Sequence, residues 1–124
     1  MYEVKVYPER NHLFVKVGSL EPHEPEDLVR EVMGAVGRLR PGWSVITDLS
    51  EALSPDPSHG DLLGPAMKRL AAAGMGKAIR VVGNARVMPR LWEKTSAAEG
   101  GYSAEVVATL AEAEARLADW TRRR

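Results

Sequence analysis

The chain has no cysteine. Disulfides, thiolate nucleophiles and cysteine-held metals are thereby excluded, and the composition fits the cytoplasm. Charge of one sign is not in excess: 17 Lys plus Arg stand against 17 Asp plus Glu, for a formal net charge of zero. A dedicated nucleic-acid binder usually carries a basic excess or a basic face, so nucleic acid is not an expected partner. The terminal Arg122-Arg123-Arg124 reads instead as a helix end, where positive charge is favourable. A net charge near zero also removes a colloidal barrier to self-association, which keeps a homodimer open. Long apolar runs are missing too. None approaches the roughly 18 residues of a membrane-spanning helix. The start, Met1-Tyr2-Glu3-Val4-Lys5-Val6, lacks a basic segment followed by an apolar one, so no signal peptide is expected. Histidine is scarce, with three in the chain, and no second one stands at ligand spacing from His59. Neither a metal nor any other cofactor is expected.

What is present is ordinary for a globular protein: 44% apolar and 27% charged residues in a chain of 124. That length predicts one domain over residues 1–124, large enough to bury a single core. Tyr2 to Tyr7 alternates, with Val4 and Val6 on the face of Tyr2. His12 to Val17 alternates again, and the short Pro8–Asn11 turn between the two runs predicts an antiparallel hairpin. Pro25 suits a first helical turn, and Leu28, Val29, Val32, Met33, Val36 and Leu39 follow at helical spacing until Pro41-Gly42.

The unit from Trp43 to Gly83 organises the rest. Trp43 to Leu49 reads as a strand, and Val45-Ile46 predicts burial on both faces, as in a parallel sheet. A loop from Ser50 leads to a helix bearing Leu62, Leu63, Ala66, Met67 and Leu70, closed by Gly74-Met75-Gly76. Lys77 to Val82 is the next strand. A helix over about 87–99 includes Leu91 and Trp92, and Tyr102 to Val107 is a short strand. Thr109 and Glu112 have capping-box spacing at the head of a last helix, whose apolar positions are Leu110, Ala113, Leu117 and Trp120. The expected fold class is α/β: a single mixed β-sheet with packed helices in the order ββαβαβαβα.

The sharpest chemical cluster is Asp56-Pro57-Ser58-His59-Gly60-Asp61. Triad partners normally converge from separate segments, and the strand–Gly-x-Ser-x-Gly–helix elbow is missing, so no catalytic residue is assigned and no enzyme is expected. Asp, Pro, Ser and Gly account for a loop and a helix cap, with Ser58 or Asp61 accepting backbone N–H bonds. Gly74-Met75-Gly76-Lys77 is no phosphate loop, because it precedes a strand and lacks the spacer and the hydroxyl residue. Arg86, Arg90 and Lys94 share a helix face, which most simply is solvated. A pocket between the sheet and the helices bearing Leu28, Met33, Met67 and Trp92 is the alternative site, suited to a small ligand or lipid.

The order of these elements, with Val45-Ile46-Thr47-Asp48-Leu49-Ser50, Ile79-Arg80-Val81-Val82-Gly83 and Thr109-Leu110-Ala111-Glu112-Ala113, resembles the STAS domain of anti-sigma-factor antagonists. The resemblance covers roughly residues 43–120. It implies a non-enzymatic, cytoplasmic signalling module with a protein partner: an anti-sigma factor or a kinase-like regulator. It also implies a phospho-switch in the loop after the central strand. Typical members carry the phosphoacceptor directly after a loop aspartate. Asp56 matches that aspartate, but Pro57 follows it, and Ser58 stands one place on. Either an inserted residue restores the match at Ser58, or the switch is lost. The implied partner-binding loop comprises Asp56, Ser58, His59 and Asp61.

Overall fold

A computed structural model describes residues 2–18, 23–50, 69–81 and 103–122. Its frame is a five-stranded sheet of β1 (Tyr2–Tyr7), β2 (His12–Val17), β3 (Trp43–Asp48), β4 (Met75–Val81) and β5 (Ser103–Val107), lying side by side in chain order. β1 and β2 are antiparallel, with Val4 opposite Val15, and the remaining neighbours are parallel. The sheet is therefore mixed, as the hairpin pattern and the doubly buried central strands predict. Two described helices flank it: α1 (Glu24–Val36) and α2 (Leu110–Arg122). A helical segment at 69–72 leads into β4. Among the described residues no helix is long and apolar enough to cross a membrane.

Period-two alternation sorts the strand residues onto two faces. Leu13, Val15, Val17, Trp43, Val45, Met75 and Ala78 pack with Leu28, Val32 and Val36 of α1. Ile46, Ile79, Val81 and Val107 pack with Ala113 and Leu117 of α2. Leu70 of the 69–72 segment joins the first cluster, on the side of α1. α2, which follows β5, packs on the face opposite to α1.

Two boundaries and one burial depart most from the sequence reading. α1 ends at Val36, before Leu39, because Gly37, Arg38 and Leu39 form a turn with backbone bonds to Met33, Ala35 and Val36. β4 begins at Met75, two residues earlier than the expected Lys77. There Trp43 pairs with Met75 and Ser44 with Lys77, so Gly76 is an extra residue in the ladder. Gly74 turns the chain into that strand with φ 98°, and a Cβ there would sit 2.8 Å from Pro41 Cα. Leu110 is the third difference: it is 41% exposed rather than in the core. It stands at the first position of α2, before the helix reaches the sheet.

The Thr109–Glu112 pairing is present. The Glu112 N–H donates to Thr109 Oγ1 at 3.2 Å, and Thr109 Oγ1 donates to Glu112 Oε1 at 3.4 Å. Thr109→Ala is expected to lower stability by about 1 kcal/mol, read as a shift of the urea midpoint with an unchanged slope.

Candidate functional site

The predicted loop opens at the carboxyl end of β3. Asp48 is nearly buried there, and its Oδ1 accepts from the Ser50 N–H at 3.0 Å and from Ser50 Oγ at 2.6 Å. An aspartate bonded to the backbone two residues on is an Asx-type turn, which sets the direction in which the chain leaves the sheet. The Leu49 N–H donates to the Val81 carbonyl at 2.7 Å, so the ends of β3 and β4 are tied together. Asp56, Ser58, His59 and Asp61 follow this turn and lie outside the described residues, as do Met67 and Trp92.

Of the residues named for the alternative pocket, Leu28 and Met33 are described; with Leu13, Val45, Thr47 and Arg80 they line a cavity of about 70 Å³ between the sheet and α1. Ligand pockets usually enclose about 300–1,000 Å³, so this space is too small for an acyl chain. Arg80, 2% exposed, places a guanidinium at the wall of the otherwise largely apolar space.

The described buried polar residues concentrate on the other face of the sheet, and the sequence reading assigned none of them a role. His12 begins β2 and Ser44 stands level with it on β3. Both are about 3% exposed, and Ser44 Oγ lies 2.8 Å from His12 Nδ1. Tyr7 stacks on the imidazole, with ring centroids 6.2 Å apart, and the Arg10 guanidinium lies over the other ring at 5.7 Å. Burial, aided by the positive charge of Arg10, pushes the His12 pKa down to about 4; the contact with Ser44 opposes this. The pair borders a cleft of about 470 Å³, shared with Glu9, Arg10, Glu114 and Thr121.

A serine beside a neutral histidine suggests a nucleophile and its base, but the surroundings do not complete one. The Ser44 hydroxyl is buried, its backbone N–H is engaged by the Asn11 carbonyl at 3.1 Å, and no carboxylate among the described residues hydrogen-bonds the imidazole. The pair locks the first turn of β2 to β3. The turn before it is fixed as well: Asn11 adopts φ 51° and exchanges two side-chain bonds with the Arg40 backbone, at 2.8 and 3.1 Å.

Further along this face, Lys77 Nζ meets Glu105 Oε2 at 2.6 Å and Arg116 NH1 meets Glu105 Oε1 at 3.2 Å. The hydrogen bond from Lys77, with the two positive charges, holds the Glu105 carboxyl below its ordinary range. This triad joins β4, β5 and α2. Among the described residues no group of three His, Asp or Glu side chains is placed to hold a metal. His12, Ser44, Lys77 and Glu105 were missed because each sits in a different strand. The available signal was a polar side chain at an inward position of an alternating run.

No protein-family model and no curated protein sequence matches the chain. Solved structures do. The anti-sigma factor antagonist SpoIIAA in its unphosphorylated form aligns with a TM-score of 0.67 at 19% identity, over 94% of this chain and 97% of that one. The Bacillus cell fate determinant SpoIIAA in its phosphorylated form aligns with a TM-score of 0.61, also at 19% identity, over 94% of this chain and 99% of the other. The mixed sheet, its flanking helices and the last helix behind Thr109 are thus the STAS-like fold of SpoIIAA.

Proposed function

We propose that this chain is a non-enzymatic regulatory module of the cytoplasm that binds a protein partner through the loop holding Asp56, Ser58, His59 and Asp61. The observation that carries the reading is the match in fold to SpoIIAA over 94% of the chain. The name of that protein, an anti-sigma factor antagonist, supports an anti-sigma factor as the partner; the STAS resemblance adds a kinase-like regulator. Its unphosphorylated and phosphorylated forms have both been solved, and this supports a phospho-switch in the present chain, with Ser58 as acceptor. A phosphate near a helix N-terminus meets free backbone N–H groups and the positive end of the helix dipole.

Incubation with the kinase-like partner and ATP is expected to add the mass of one phosphate, lost in Ser58→Ala and measured on the intact protein. An unmodified wild-type chain, under conditions that modify a SpoIIAA-type antagonist, ends the Ser58 switch. Retained binding by that unmodified chain would leave the partner reading standing.

The second reading, a small-ligand module, is favoured by the cavity between the sheet and α1. Its volume of about 70 Å³ restricts it to a very small apolar guest, so protein binding is preferred. A bound molecule retained in native mass spectrometry would reverse that preference.

A further inference from the structure

β1 is the outer strand of the sheet, paired on one side with β2 among the described residues. Such an edge is a template for another strand. Beside it, Val4 and Val6 of β1 with Glu31, Gly34, Ala35 and Arg38 line a groove of about 290 Å³. Gly34 leaves open space there: a Cβ added to it would meet nothing within 4 Å.

We propose that this edge and groove bind a second copy of the same chain about a two-fold axis, joining the two sheets through antiparallel β1 strands. Charge complementarity across this axis arises twice. On β1, Glu3 and Lys5 flank Val4 on one face and already pair with each other at 2.9 Å. In an antiparallel register placing Val4 opposite its own copy, Glu3 faces Lys5 of the second copy and Lys5 faces its Glu3. Every neighbour in that square has the opposite sign, which is the favourable cross-strand arrangement. Lysine on an edge usually blocks association; its alternation with Glu3 makes this edge repel most strands but match itself.

The helix repeats the pattern. Glu31 on α1 and Arg38 in the turn that follows it are both exposed and line the groove with Gly34 and Ala35 between them in sequence. Two copies running antiparallel therefore bring each glutamate toward the other's arginine. Val4, midway between Glu3 and Lys5, lines the same groove as Gly34 and Ala35, which stand midway between Glu31 and Arg38, so one two-fold axis can serve both charge pairs. These small residues allow α1 to approach its copy. The residues proposed here belong to β1, α1 and the turn after α1 and do not include Ser58, so dimerisation and the proposed switch are tested with different variants.

Sedimentation equilibrium on the full chain tests this. The wild type is expected to show twice the chain mass, in a concentration-dependent equilibrium. Glu31→Arg, Arg38→Glu or Lys5→Glu alone sets like charges opposite each other at two symmetric places, and is expected to weaken dimerisation about tenfold or more. The paired exchanges, Glu31→Arg with Arg38→Glu and Glu3→Lys with Lys5→Glu, restore the alternation and are expected to restore the dimer. All these side chains are exposed, and far-UV circular dichroism confirms that each variant is folded. A wild type that stays monomeric to its solubility limit overturns the proposal. So does a dimer indifferent to the single reversals, or one that the exchanges fail to rescue.

Discussion

Trp43→Ala is expected to remove about 3–5 kcal/mol of stability, the largest loss of any substitution considered for this chain. Trp43 is fully buried at the start of β3, packed into the cluster under α1. Its indole N–H donates to the Ala73 carbonyl at 3.2 Å, just before the Gly74 turn into β4. The substitution therefore opens a large cavity and also leaves a carbonyl without its donor, at the point where β3, β4 and the preceding helical segment meet. Native proteins have about 5–15 kcal/mol in total, so the variant should lie near or within its unfolding transition at room temperature. Trp43→Phe keeps an aromatic ring and loses the hydrogen bond, and should fall between the two. Urea unfolding followed by circular dichroism measures both. A Trp43→Ala chain as stable as the wild type would show that the ring is not a structural anchor.

Acidification is expected to destabilise the protein through His12, by up to about 3 kcal/mol when the folded-state pKa near 4 is set against an unfolded value near 6.5. The sign follows from proton uptake. Between these two values the unfolded imidazole binds a proton and the folded one does not, so falling pH draws the chain toward the unfolded state. The stability is complete above about pH 6.5, declines as pH falls toward 4, and changes no further from this group below it. Every element near the ring contributes a group: Tyr7 stacks on it from β1, Arg10 adds a positive charge, and Ser44 is bonded to it from β3. Glu9 and Glu114 line the adjoining cleft, and there Glu114 faces Arg10 at 3.9 Å. Their negative charge moderates the penalty on protonation but does not remove it, because both are exposed and well solvated. His12→Gln keeps a polar side chain of similar reach and abolishes the titration. Its unfolding free energy should change less between pH 7 and pH 4 than that of the wild type, by the amount assigned to His12. Equal slopes in the two proteins would remove His12 from the acid response.

Which elements form was legible in the residues, because local pattern determines them. The alternation in Tyr2–Tyr7 and His12–Val17, the helical spacing through Leu28, Val32 and Val36, and the doubly apolar Val45-Ile46 each depend on near neighbours. So does the Thr109 cap, whose partner is three residues away. The STAS resemblance extended this to the order of elements, and the SpoIIAA structures agree with it at the level of fold. The boundaries at Met75 and Val36 were not legible, because a β-bulge opposite Trp43 and the turn after α1 answer to the packing of the whole sheet.

Trp43–Gly83 remains the unit around which the chain is built, since β3 and β4 lie at the centre of the sheet and both faces of Val45-Ile46 are covered. By itself the sequence determined the element types, the α/β class and the absence of thiol chemistry, since composition and short-range periodicity suffice for them. Tertiary structure alone decided that His12 meets Ser44 across 32 positions and that Lys77, Glu105 and Arg116 converge. Those pairings join residues from separate strands and helices. Hydrogen bonds and ion pairs act over a few ångströms of space whatever the separation along the chain, so they exist only once the sheet has brought its strands into register.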